Sequence, residues 1–216
     1  MDSIVGLKGW KKENMDVFWG EIAPCDHILQ IYEDDKVFLE TLQGFVTSGL
    51  EAGESVIIIA TDEHLAALYQ RLRDKGFDLF SMALQDQYIP LSAQEMLSRF
   101  MINGWPDENL FHYLLTNLLL RARKRDRKVR AFGEMVALLW SQGFSGATVR
   151  LEHLWTTFCE SEEFSLFCAY PKSGFTENPI ESIAKICRCH SKVIDHIDGE
   201  NPELMVANVR LGRVLK

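Results

Sequence analysis

Three groups of residues in this sequence are of types that do chemistry. The first is the run HILQIYEDDKVFLE over residues 27–40, which reads as a short apolar strand, a tight acidic turn and the start of a helix. In many α/β proteins that joint holds a phosphate, and the turn is then rich in glycine and closed by Lys-Ser or Lys-Thr. The glycines let backbone N–H groups converge on the anion, and the lysine neutralises it. Here the turn is Tyr32-Glu33-Asp34-Asp35, and Lys36 lies past the acids, inside the helix. Three carboxylates would repel a triphosphate. They suit helix capping, at the positive end of the helix dipole. In a sharper reading they also select against anions at a place the fold would otherwise offer them. No GxxxxGK[ST] occurs elsewhere in the sequence, so an active ATPase is not expected.

The second group is Gly133-Glu134-Met135, after an apolar run at Val129–Gly133. A carboxylate at a strand's carboxyl end can activate water or hold a metal. It can equally cap a helix, and without a phosphate loop a structural or ligand-contacting role is preferred over catalysis. A divergent nucleotide-binding enzyme using Glu134 is the alternative.

The third group is Cys187-Arg-Cys189-His190. On a helix, neighbours about 100° apart do not converge. A zinc site there would need distant partners, such as Cys168, Cys159 or Cys25 with His27. The plainer reading puts Cys187 in the core and His190 at a helix end. No metal and no cofactor are therefore assigned, and a metal or redox sensor built on Cys168, Cys187, Cys189 and His190 is kept as an alternative. The five cysteines, an odd count, are read as reduced thiols.

These residues must be positioned by elements. Strands are predicted at His27–Tyr32, Glu54–Thr61, Gln87–Leu91, Val129–Gly133 and Ser165–Tyr170. Helices are predicted over Asp34–Leu50, from Thr61 or Asp62 to Lys75, from a capping box at Ser92–Glu95, from Pro106 to about Arg125, and over Glu134–Trp140, Ala147–Cys159 and Pro179–Val193. Gly49 and Gly53 are expected to end the first helix and Gly76 the second. Residues 1–15 form an N-terminal arm, 16–195 the domain and 196–216 a polar tail with a short helix. Strands alternating with helices imply an α/β fold: three layers, a mostly parallel sheet, helices on both faces. Ligands in such sheets bind beyond the carboxyl ends of the strands. That places Tyr32, Glu33, Thr61, Glu134 and Tyr170 at the candidate site. The nearby aromatics, Trp140 and Trp155 among them, are read mainly as core, although an apolar site with a few polar groups is the usual form for a small molecule.

The net charge of −8 argues against direct nucleic-acid binding and against an anionic membrane surface. The most apolar stretches, Ser55–Ala60 and Tyr113–Leu120, are far below the ~20 residues that span a bilayer. No secretory signal is legible, so a cytoplasmic location is expected. Arg121–Arg130 carries seven basic residues in ten. It is read as a solvated helix end, with docking of an acidic partner as the alternative.

The order HILQIYEDDKVFLETLQGFVTSGLEAGESVIIIAT, RAFGEM, RLEHLWTTFCESEEFSLFCAYP and ICRCHSKVI resembles the MEDS family, the methanogen/methylotroph sensory domains, over roughly residues 16–195. The resemblance implies a RecA-like domain, related to circadian-clock ATPases, that has lost its phosphate loop. It implies a sensory role in binding small hydrocarbon-type molecules, and it adds His27 and His190 to the candidate ligand residues by motif position. Members are often joined to histidine kinases or DNA-binding domains. Neither is legible in these residues, so signalling to a separate kinase or transcription regulator through Arg121–Arg130 is expected, with homo-oligomerisation left open.

Overall fold

A computed structural model of the chain describes residues 10–13, 19–175, 179–195 and 203–207. Its frame is an eight-stranded sheet. In chain order the strands are β1 (Trp10–Glu13), β2 (His27–Tyr32), β3 (Ser55–Ala60), β4 (Tyr88–Ser92), β7 (Val129–Gly133), β8 (Ser165–Pro171), β9 (Lys192–Asp195) and β10 (Glu203–Ala207). A two-residue hairpin, β5 (Met101–Ile102) with β6 (Trp105–Pro106), stands apart. The strand order in the large sheet is β1-β10-β9-β2-β8-β7-β3-β4. The six strands from β9 to β4 are all parallel, and β10 and β1 close one edge antiparallel.

Parallel strands need crossovers, and the helices supply them. One face carries α1 (Asp35–Glu51), α2 (Asp62–Asp74) and α3 (Leu79–Leu84); the other carries α4 (Ala93–Phe100), α5 (Glu108–Ala122), α6 (Met135–Ser141), α7 (Ser145–Glu162) and α8 (Pro179–Cys187). Side-chain alternation sorts the strands between two cores. Ile28, Val56, Ile58, Phe132 and Phe167 face the first layer, and Leu29, Ile57, Ile59, Leu166 and Tyr170 face the second. The run Val56–Ile59 is buried throughout because both faces of β3 are covered.

The local chemistry follows the sequence at several joints. Asp34 caps α1 by accepting from Lys36 N at 2.6 Å, and Thr61 caps α2 by accepting from His64 N at 3.3 Å. Gly53 and Gly76 follow those helices with φ of +76° and +90°, a region open to glycine.

Four expectations are corrected. The final helix stops at Cys187, and Lys192–Asp195 is strand β9, not helix. The reason is tertiary: β2 leaves an edge, Ser191 N donates to His27 O at 2.8 Å, and Val193-Ile194 are good strand formers. The tail holds strand β10 where a helix was predicted, and the arm contributes β1; other residues of both lie outside the described ones. Ser92 makes no capping bond, since it ends β4 opposite Ala60. Pro106 sits in the hairpin, and α5 begins at Glu108 with Asp107 as its cap, accepting from Leu110 N at 2.9 Å. Among the described residues, no helix is long and apolar enough to cross a membrane.

Candidate functional site

The carboxyl ends of β2, β3 and β7 gather one group of polar side chains. Glu134, directly after β7, is buried. Its Oε2 accepts from Thr61 N at 2.9 Å and its Oε1 lies 2.8 Å from His64 Nδ1. Its own N–H donates to Ile59 O at 2.9 Å. The carboxylate thus laces the ends of β3 and β7, with one protein partner on each oxygen. Burial lowers the pKa of His64, but the hydrogen bond and charge of Glu134, with Asp35 and Glu63, outweigh it and the net shift is upward. Phe38 stacks on Tyr32 at 4.6 Å between centroids and meets His64 edge-on at 4.9 Å. Burial, then the charges of Glu134 and Asp35, push the Tyr32 phenol up.

The acidic turn itself is exposed. Asp34 occupies a helix N–H that a phosphate would use, and Glu33 pairs with Lys172 from the end of β8. No glycine lies in this joint, so no backbone nest is formed.

A second group lies on the opposite face, inside the core. His27 opens β2, Cys168 is in β8, Glu152 is on α7, and His190 sits in the turn between α8 and β9. All four are buried, and their donor atoms lie within 4.8 Å of one another. His27 Nε2 is 3.4 Å from Cys168 Sγ and 3.7 Å from Glu152 Oε2; His190 Nε2 is also 3.7 Å from Glu152 Oε2. The two imidazoles tilt against each other at 4.0 Å between centroids.

A surrounding shell fixes their orientation. Tyr170 Oη donates to Glu152 Oε1 at 2.5 Å. His190 Nδ1 lies 2.8 Å from Ile186 O, an acceptor only, so Nδ1 carries the proton and Nε2 presents a lone pair. Thr156 Oγ1 has one proton to donate, and the carbonyls of Glu152 (2.9 Å) and Cys189 (3.2 Å) both lie within its reach. With that proton on either carbonyl, Thr156 accepts from His27 Nδ1, 3.3 Å away, and His27 Nε2 then points its lone pair inward. Among the described residues, Glu152 Oε2 and His190 Nε2 have no hydrogen-bond partner. Burial raises the Glu152 pKa to about 8 against the pull of Tyr170, and burial lowers His190 to about 4. His27 is lowered by burial and then by His190.

The sequence-predicted residues thus fall into two sets on opposite faces. Tyr32, Thr61 and Glu134 meet at the strand ends, with Glu33 at the rim. His27, Tyr170 and His190 belong to the buried cup. Cys187 is buried outside the cup, and Cys189 Sγ contacts Lys185 O at 3.7 Å, so only His190 of the C-x-C-H run reaches in. Sequence reasoning missed His64 and Glu152. Glu152 had a legible signal: with Thr148, Trp155 and Cys159 it falls on the buried stripe of α7, and a carboxylate there needs a partner.

A three-layer α/β domain with a six-stranded parallel sheet and an acidic first joint is a RecA-like fold without its phosphate loop. The solved structure of a KaiC-like protein from the hyperthermophilic archaeon Pyrococcus horikoshii OT3 has the same fold: TM-score 0.57, 12% identity, covering 94% of this chain and 89% of that one. The family model of the MEDS domain, the methanogen/methylotroph, DcmR sensory domain, matches residues 26–191. The chain belongs to this family, and its domain is a sensory domain. No protein of curated function matches it.

Proposed function

We propose that this domain is a non-enzymatic sensor. It binds a small, weakly polar hydrocarbon-type molecule over the carboxyl ends of β2, β3 and β7 and signals to a separate kinase or transcription regulator. The observation that carries this reading is the first joint. The place where a RecA-like sheet would hold phosphate is filled by Glu33, Asp34 and Asp35, with Asp34 already capping α1. The neighbouring carboxylate, Glu134, has both oxygens engaged. An anionic substrate and a free general base are both disfavoured, whereas the Tyr32–Phe38–His64 aromatic group suits an apolar ligand.

Signalling requires that the ligand bind one conformation better than another. The contact surface would include the flank of Arg121–Arg127, where Arg121 and Lys124 pair with Asp86 and Arg123 with Glu162 on the protein's own surface. Arg130 is buried and takes no part. A thermal-shift panel of halocarbons, methylated amines and short carboxylic acids tests the reading. At least one class should raise the melting temperature with saturation, and His64→Ala, at the partly exposed member of the aromatic group, should weaken that response. No shift across the panel at saturating concentration would contradict it.

A further inference from the structure

The buried cup on the α7 face is independent of the strand-end site and is not required by it. We propose that His27, Glu152, Cys168 and His190 form a site for one divalent first-row transition ion, zinc foremost.

Four observations converge. The donor set is two imidazoles, a thiol and a carboxyl, all of them metal-ligating groups. Their geometry is close to what a tetrahedral ion needs. With metal–ligand distances of about 2.0–2.3 Å, the edges of the tetrahedron are about 3.3–3.6 Å. Three observed edges, 3.4, 3.7 and 3.7 Å, approach that, and all four donor atoms lie within 4.8 Å of one another, so an inward contraction would complete the set. The outer shell has the form that metal sites use. His190 Nδ1 is held by a backbone carbonyl, His27 Nδ1 by Thr156, and Glu152 Oε1 by Tyr170, which leaves two Nε2 lone pairs, one carboxyl oxygen and one sulfur facing each other. Two of those inward atoms, Glu152 Oε2 and His190 Nε2, are buried without a hydrogen-bond partner among the described residues. A buried polar atom left unmatched is costly, and here the two atoms stand 3.7 Å apart, too far for a direct hydrogen bond, and face the same point.

Charge selects the ion. A divalent cation with a thiolate and a carboxylate gives a neutral centre, which a dry core tolerates. Binding releases the thiol proton, and the carboxyl proton where present, to solvent. A nucleophilic Cys168–His27 pair is the competing use of these groups, and complete burial of both rules out substrate access. With four buried protein donors, the site is of the closed, structural kind. It would tie β2, β8, α7 and the α8–β9 turn together, and so fix the edge on which β10 and β1 build.

The test is elemental analysis of purified full chain after incubation with excess zinc and desalting, with a parallel cobalt(II) reconstitution. About one equivalent of metal per chain is expected. The cobalt form should show tetrahedral d–d bands and a thiolate charge-transfer band, and metal removal should lower the melting temperature. Cys168→Ser, nearly isosteric, should abolish the charge-transfer band, whereas Cys187→Ser, buried outside the cup, should keep it. Less than a tenth of an equivalent of metal, with no cobalt bands in the wild-type protein, would overturn the site. Stoichiometric cobalt without a thiolate band would overturn this ligand set.

Discussion

Glu134 and Glu152 are the same side chain under two regimes. Glu134 sits at a strand end where a backbone N–H and an imidazole meet its two oxygens, so it is a brace. Glu152 sits in the core with one oxygen held by a phenol and the other aimed at two histidines, so it is a donor awaiting a cation. The brace has a pH signature. The pKa of His64 is raised in the folded protein above its ordinary value of 6.5. Its stabilisation is therefore complete below about pH 6 and is lost as pH rises through the raised value. Denaturant unfolding of wild type and His64→Gln should show a stability gap that is widest near pH 6 and narrows toward pH 9; a gap independent of pH would show that charge plays no part. Glu134 was legible because a strand end advertises its following residue. Glu152 and Cys168 were not legible as a pair, because sixteen positions separate them in sequence and only the crossover from α7 into β8 brings them face to face.

Among the elements, the GLEAGES segment at residues 49–55 shows what a family-like motif can be for. Arg130 of β7 is buried beneath it. Arg130 Nε donates to Glu54 Oε2 at 2.5 Å, its Nη1 donates to Phe45 O at 2.9 Å, and the guanidinium lies 5.2 Å from the Phe45 ring centroid. Gly49 makes room for it: a Cβ there would stand 2.6 Å from Arg130 Cδ and Nε. Ser55 Oγ donates to Asp86 O at 3.1 Å and so pins the α3–β4 turn. The motif is thus a clamp between α1, β3 and β7, not a ligand loop. Glu54→Ala leaves the guanidinium buried without its anion and should cost about 3 kcal/mol in urea unfolding; a loss below ~0.5 kcal/mol would show the pair to be incidental. Gly49→Ala should destabilise through the same arginine. The alternation of strands and helices was legible because each core strand is a compact apolar run between caps and glycines. β9 and β10 were not, because Val193-Ile194 and Leu204–Ala207 are short runs between polar residues that become strands only where a sheet edge is available.

For the molecule as a whole, the sheet carries two polar groups, one at its strand ends and one buried on the α7 face. The strand ends of this RecA-like fold carry Glu33, Asp34 and Asp35 at the first joint. The core on the α7 side gathers histidine, cysteine and glutamate from four chain segments next to the β9 edge. A sensory domain needs one site that recognises and a scaffold that can be held in one state or released from it. The central claim is that the acidic joint has replaced anion binding with recognition of something uncharged or weakly polar. Isothermal titration of the purified chain with MgATP measures this most directly. The account predicts no saturable heat and no phosphate release. Tight, magnesium-dependent binding that weakens on mutation of the Tyr32–Lys36 turn would contradict it.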